Sequence, residues 1–198
     1  MTYENLEERI LETLPDRRRT RLVAIDGKGG AGKSSLARKI QENLDDVQVV
    51  EVDDFWLPKV ARPLRHQVVS DPGSDYDWRR LRDQVIKPLS QDEQGRYQRY
   101  DWPTDALAEW QNVPSGGTVV VEGVFSTRLE LAPFYDLKIW VETPSSVCLD
   151  RGVERDGEQH RDLWENEWMK AYQTYIDAWD PKNRADIVIA GTERSSSG

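Results

Sequence analysis

The chain reads as an α/β protein: a mostly parallel central sheet in a three-layer αβα sandwich, with a helical lid that carries arginines. Two observations predict this. Apolar strand-like runs alternate with helical patterns along the chain, the signature of parallel βαβ units. The first such run, Leu22-Val23-Ala24-Ile25, leads straight into G-K-G-G-A-G-K-S at residues 27–34 and then into a helical pattern. That octet satisfies G-x-x-x-x-G-K-[ST] in the strand–loop–helix setting a phosphate-cradling P-loop requires.

Each element follows from its own pattern. Strand one falls at 21–26. Leu36, Ala37, Ile40 and Leu44 mark a helix over 33–44, and Val47, Val49, Val50 and Val52 a second strand over 47–52. A loop rich in Pro, Arg and Asp runs to about residue 74. Trp78, Leu81, Val85 and Ile86 give a helix over 75–89, and the polar, aromatic-bearing stretch 90–112 reads as a hairpin or excursion. Val119-Val120-Val121 is a buried strand, and Leu137, Ile139 and Val141 mark another. Helices are expected at 145–154 and 160–178, with a final strand at 185–190. Leu6, Ile10, Leu11 and Leu14 have helical spacing, so an amphipathic helix is expected within residues 1–18, ending at Pro15, and 192–198 reads as a disordered tail. No repeat or linker divides the chain, so one domain is expected over its 198 residues.

A formal charge of −9 argues against nucleic acid or an anionic membrane as partner. No apolar stretch approaches a membrane span, and the start of the chain is acidic rather than a basic targeting region. The single cysteine, Cys148, rules out an intramolecular disulfide and suits a reducing cytoplasm, where it reads as a small buried apolar residue. Self-association is left open.

The chemistry begins at the P-loop. Gly27, Gly29, Gly30, Ala31 and Gly32 let backbone N–H groups turn around a triphosphate, with Ser35 next to them at the start of the helix. Lys33 would reach the β/γ-phosphates and the Ser34 hydroxyl would be a ligand to Mg²⁺. Gly27, Gly29 and Gly32 also spell the dinucleotide fingerprint G-x-G-x-x-G, with Glu51 and Asp53 where a ribose-binding acid falls. The Lys-Ser pair directly after the third glycine decides for a triphosphate, because a dinucleotide site needs neither.

Asp53-Asp54-Phe55-Trp56 ends the second strand, where ligands of open α/β sheets bind. A carboxylate there, near the γ-phosphate, could take a proton from an attacking hydroxyl, with Asp53 preferred and Asp54 the alternative. Glu122, ending the 119–121 strand, is placed to hold Mg²⁺ with Ser34 and Asp53. Arg151, Arg155 and Arg161 would fold over the triphosphate as a lid, Arg155 stabilising the charge in transfer. Trp164, Trp168, Tyr172, Tyr175 and Trp179 read as one packed helix face rather than a base-stacking platform. His66 and His160 are too isolated for a metal site.

Together these residues resemble the uridine kinase-like family of P-loop kinases, which also holds phosphoribulokinase, pantothenate kinase and nicotinamide riboside kinase relatives. The resemblance spans about 20 to 190. It rests on I-D-G-x-G-G-A-G-K-S at Ile25 to Ser34, D-D-F at Asp53 to Phe55, Y-D-W at Tyr100 to Trp102, V-E-G at Val121 to Gly123, and R-G-V-E-R-D at Arg151 to Asp156. It implies ATP- and Mg²⁺-dependent phosphorylation of an alcohol, with Asp53 as base, Ser34 and Glu122 around the metal, and Arg155 and Arg161 in the lid. Asp54, Phe55, Tyr76, Arg79, Tyr100 and Asp105 are the candidate contacts to a small-molecule acceptor. Uridine–cytidine kinases follow the Tyr-Asp-aromatic step with a histidine and an arginine; here those positions are Asp105 and Leu107, so the acceptor is open. Two other readings compete: a nucleotide-gated interaction module, with Trp102 and Trp110 on its surface, and a dinucleotide-dependent oxidoreductase.

Overall fold

The computed structural model describes residues 20–62 and 71–191. The expected N-terminal helix, His66 and the 192–198 tail lie outside the described residues. Five strands form one sheet: β1 (Arg21–Asp26), β2 (Val47–Glu51), β5 (Thr118–Glu122), β6 (Leu137–Glu142) and β7 (Ile187–Ala190). Their order is β2-β5-β1-β6-β7, and every neighbouring pair is parallel. A separate antiparallel hairpin, β3 (Gly95–Asp101) with β4 (Ala106–Val113), is the excursion expected over 90–112.

Both sheet faces are covered, as an all-parallel sheet requires. Side chains alternate along β1, so Val23 and Ile25 join Val120 and Ile139 under α1 (Lys33–Asn43), which contributes Leu36, Ala37 and Ile40. Leu22 and Ala24 face the other way, with Val119 and Val121, onto Leu81, Val85 and Ile86 of α2. That second helix is continuous over 78–90 and contains a π-turn at Arg82–Ile86, just before Pro88, which has no N–H to give the carbonyl of Gln84. It starts three residues later than its apolar spacing predicts. Asp77 caps it by accepting from the Arg80 N–H at 3.0 Å, while Tyr76 is held in a bridge to Trp56. Val52, expected at the end of β2, instead opens a short 3₁₀ turn, Val52–Phe55, that carries both aspartates.

Two further helices close the molecule over the P-loop side. α3 spans Ser145–Asp156 and ends at Gly157; α4 runs over 161–179 and stops where Asp180 turns left-handed at φ 44°. Trp164, Tyr172 and Tyr175 of α4 pack with Phe125, Trp140 and Val153, so the aromatic stripe is a core face, as its spacing predicts. Cys148 is fully buried against the α1 side of the sheet.

Candidate active site

The carboxyl ends of β1, β2 and β5 open into one cleft of about 880 Å³, the size of a small-molecule site. Along one wall runs the P-loop. Gly29 and Gly30 are glycines because their neighbours leave no room: a Cβ on Gly30 would sit 2.4 Å from the Cys148 carbonyl oxygen, at φ +77°. One on Gly29 would sit 2.8 Å from both the Trp164 ring and the Tyr172 hydroxyl. The loop is thus held closely by Cys148 of α3 and by Trp164 and Tyr172 of α4.

Lys33 is buried, and its ammonium donates to the Lys28 carbonyl at 3.0 Å across the loop. Ser34 donates its hydroxyl proton to Glu122 Oε1 at 2.8 Å. Glu122 pairs in register with Glu51 on the neighbouring strand, so the two adjacent strands end in carboxylates. Burial raises the pKa of Glu122, opposed by the charge of Lys33 and the hydrogen bond from Ser34. Glu51 is pushed up to about 7, first by desolvation and then by Glu122, Asp54 and Asp53 around it. Asp53 faces the same cleft and accepts from the Tyr76 hydroxyl at 3.2 Å. Ser34, Glu122 and Asp53 offer only hard oxygens. That donor set fits Mg²⁺, which keeps several waters and takes one or two protein oxygens beside substrate phosphates.

Of the residues singled out from sequence, Gly29, Gly30, Gly32, Lys33, Ser34, Ser35, Asp53, Tyr76, Glu122, Arg151 and Arg155 line this cleft. Arg155 forks onto Asp156 at 2.7 and 3.2 Å and lies 5.8 Å from the Trp164 ring; Arg151 reaches the Gly30 carbonyl at 3.4 Å. Both line the cleft together with P-loop residues, Arg151 in contact with the loop itself.

Other expected contacts are placed elsewhere, each for a visible reason. Asp54 turns to the hairpin and accepts from the Tyr97 hydroxyl at 2.7 Å, and unlike Asp53 it does not line the cleft. Phe55 is fully buried against Tyr97, a core residue rather than an acceptor contact. Arg79 stacks on Trp78, 4.2 Å from its ring. Tyr100 and Asp105 are spent on each other at 2.6 Å and on Arg62, and Asp105 also accepts from the Lys59 N–H. Arg161 is half-buried and pairs with Glu158 and Glu165 outside the cleft. Gly27 and Ala31 shape the loop from behind: Gly27 donates its N–H to Asp26, and the buried Ala31 accepts from Thr143.

Sequence reasoning missed two groups. Trp56 and Trp102 line the cleft with Tyr76, and Trp164, Trp168 and Tyr172 line it from α4, adding to their core role. Asp26 is the other. Buried at the end of β1, it accepts five hydrogen bonds: from Gly27 N, Phe125 N, Thr127 N, the Thr127 hydroxyl and the Tyr175 hydroxyl. One carboxylate thereby ties the P-loop's first residue to the loop after β5 and to α4. The signal was a lone acid closing the apolar run L-V-A-I-D.

A P-loop at the carboxyl edge of a parallel sheet, faced by strand-end carboxylates and flanked by arginines from a helical cover, defines the P-loop kinase class. Comparison with known proteins narrows it. The phosphoribulokinase/uridine kinase family matches residues 22–194, and the chain belongs to that family of phosphotransferases acting on a hydroxyl. It is 28% identical over 155 residues to a uridine kinase of Schizosaccharomyces pombe, covering 72% of this chain and only 33% of that protein. It is 24% identical over 166 residues to a uridine kinase of Ureaplasma parvum serovar 3, covering 80% of this chain and 75% of that one. Among solved structures, a possible uridine kinase from Bacillus stearothermophilus superposes with TM-score 0.73 at 23% identity, covering 93% of this chain and 95% of its own. A protein provisionally assigned as a fructose transport system kinase, from Silicibacter sp. TM1040, gives 0.76 at 22%, covering 96% and 99%. At such identities these two speak for the fold alone.

Proposed function

We propose that this chain, acting as a single kinase domain, transfers the γ-phosphoryl group of ATP, with Mg²⁺, to a hydroxyl of a nucleoside or nucleoside-like metabolite. The observation that carries the proposal is the convergence of Lys33, the Ser34–Glu122 pair and Asp53 on one cleft. In this reading the P-loop N–H groups and Lys33 hold the β/γ-phosphates, so the transferring group is positioned and its charge neutralised. Ser34, Glu122 and Asp53 would hold the Mg²⁺, which would supply positive charge against the phosphates. Asp53, held by Tyr76, takes the proton of the attacking hydroxyl. Arg155 leaves Asp156 for the phosphates as the lid closes, and Arg151 adds charge beside Gly30.

No helix among the described residues is long and apolar enough to cross a membrane. With one cysteine, itself buried, the chain suits a reducing cytoplasm.

The test is ADP formation from Mg·ATP across nucleosides, nicotinamide riboside, pantothenate and simple sugars, beside the Lys33→Ala variant. Acceptor-dependent turnover lost in that variant supports the proposal. Tight ATP binding with no acceptor effect would transfer the weight to a nucleotide-gated interaction module.

A further inference from the structure

Phe125, in the loop after β5, has a φ of +67°, in the left-handed region where a bulky side chain is strained. Glycine takes that conformation freely, so what phenylalanine adds at this position is its ring. The ring is buried where three segments meet. Its centroid lies 5.8 Å from that of Tyr76, 4.9 Å from Tyr175 in an edge-on contact, and 6.1 Å from Tyr172. Gly73 leaves room for it, because a Cβ there would sit 2.7 Å from the ring.

Both ends of this residue lead to the site, although Phe125 itself does not line the cleft. Its N–H donates to Asp26 Oδ1 at 3.2 Å, the same oxygen that seats Gly27 N, the first residue of the P-loop. Its ring packs on Tyr76, whose hydroxyl donates to Asp53 at 3.2 Å. Burial, with the charge of Asp53 added to it, raises the pKa of that hydroxyl well above its ordinary value, so Tyr76 keeps its proton and stays a donor. The backbone beside Tyr76 is tied to the turn that carries Asp53. Asp77 N–H donates to the Phe55 carbonyl at 2.7 Å, and Leu57 N–H to the Asp75 carbonyl at 2.9 Å.

On the footing of the kinase reading above, we propose that Phe125 is a positioning residue: its N–H and ring together fix Tyr76, and through it Asp53, relative to the P-loop. Base and phosphate are thereby referenced to one another across the cleft. Such registration matters because a misplacement of about 1 Å costs about 10²-fold in rate.

The experiment is a double-mutant cycle on the full chain with Mg·ATP and its best acceptor. Phe125→Leu keeps an apolar side chain and removes the ring. It should lower kcat about tenfold and leave the ATP KM within about twofold of wild type. Tyr76→Phe removes only the hydroxyl and should lower kcat by a similar factor, the scale of one hydrogen bond. The double variant should lie no more than about threefold below either single one, not the roughly hundredfold below wild type that independent effects give. A residue that only packs would lower the melting temperature and leave the kcat of the folded protein as it was. If Phe125→Leu does not fold, Gly73→Ala, which presses a methyl against the same ring, takes its place in the cycle. Amide hydrogen exchange without nucleotide gives a second readout: residues 52–57 and 73–77 should exchange faster in the variant, with α1 unchanged. Losses that multiply, a folded variant with wild-type kcat, or unchanged exchange in those two segments would each overturn this inference and leave the kinase reading intact. Wild-type protein with no acceptor-dependent turnover would remove the kinase reading and this inference with it.

Discussion

Replacing Asp26 by asparagine changes one oxygen to an amino group, yet the structure makes it a severe substitution. Oδ1 accepts from Gly27 N at 2.7 Å and Phe125 N at 3.2 Å; Oδ2 accepts from Thr127 N at 2.9 Å and from the Thr127 and Tyr175 hydroxyls, both at 2.6 Å. An NH₂ on the Oδ1 side would confront two backbone donors that cannot reverse. On the Oδ2 side the two hydroxyls can rotate and accept, but Thr127 N–H is stranded. The better choice therefore costs about 1–3 kcal/mol for that donor. The remaining bonds weaken from charge-assisted to neutral strength, adding about 0.5 kcal/mol or more each. The sum is about 3–5 kcal/mol, a large share of a domain's roughly 5–15 kcal/mol. At about 2–4 °C per kcal/mol for a chain of this size, the melting temperature should fall by about 6–20 °C. Thermal and urea unfolding followed by circular dichroism would measure it, with Tyr175→Phe, which removes one of the five bonds, expected to cost only about 1–2 kcal/mol. An Asp26→Asn protein within about 1 kcal/mol of wild type would refute the reasoning.

Three further expectations follow from the cleft. Asp53→Asn should keep ATP binding and lose roughly 10²–10⁴ in turnover, the scale of a positioned base; near-normal transfer would take Asp53 out of that role. Gly29→Ala should drive a methyl into Trp164 and Tyr172, so Mg·ATP should no longer raise the melting temperature of a protein that still folds; undiminished protection would contradict that close packing. Glu51 holds its proton to about pH 7 when folded, against an ordinary value of 4.5. Between those values the folded state binds the extra proton, so stability falls as pH rises through that window. Glu51→Gln should therefore melt higher than wild type above about pH 7 and alike below about pH 4.5, without nucleotide or metal. A difference independent of pH would sink that assignment.

The sheet and its helices were legible because burial imposes period on sequence. β1 and β5 contain unbroken apolar runs, β6 places Leu137, Ile139 and Val141 at alternate positions, and α1 and α4 carry their core faces at helical spacing. The P-loop was legible because glycine and lysine stand at fixed offsets. What periodicity could not show was side-chain direction in the 3₁₀ turn Val52–Phe55, where consecutive aspartates point to different neighbours: Asp53 to the cleft and Tyr76, Asp54 to Tyr97. The hairpin misled in a similar way. Tyr100 and Asp105 have the residue types of ligand contacts, but Arg62, more than thirty-five residues earlier, engages both. Pairing across such a distance has no local signature. The aromatic lining had no local signature either: Trp56 follows the paired aspartates and Trp102 reads as a surface residue until the fold sets both in the cleft with Asp53.

In the proposed function, one cleft couples ATP cleavage to phosphorylation of a bound alcohol. Mass spectrometry of the full chain with Mg·ATP and its best acceptor tests this most directly, counting ADP and phosphorylated acceptor together. The account predicts that they appear one for one and vanish together in Lys33→Ala. ADP accumulating with free phosphate and no phosphorylated acceptor would contradict it.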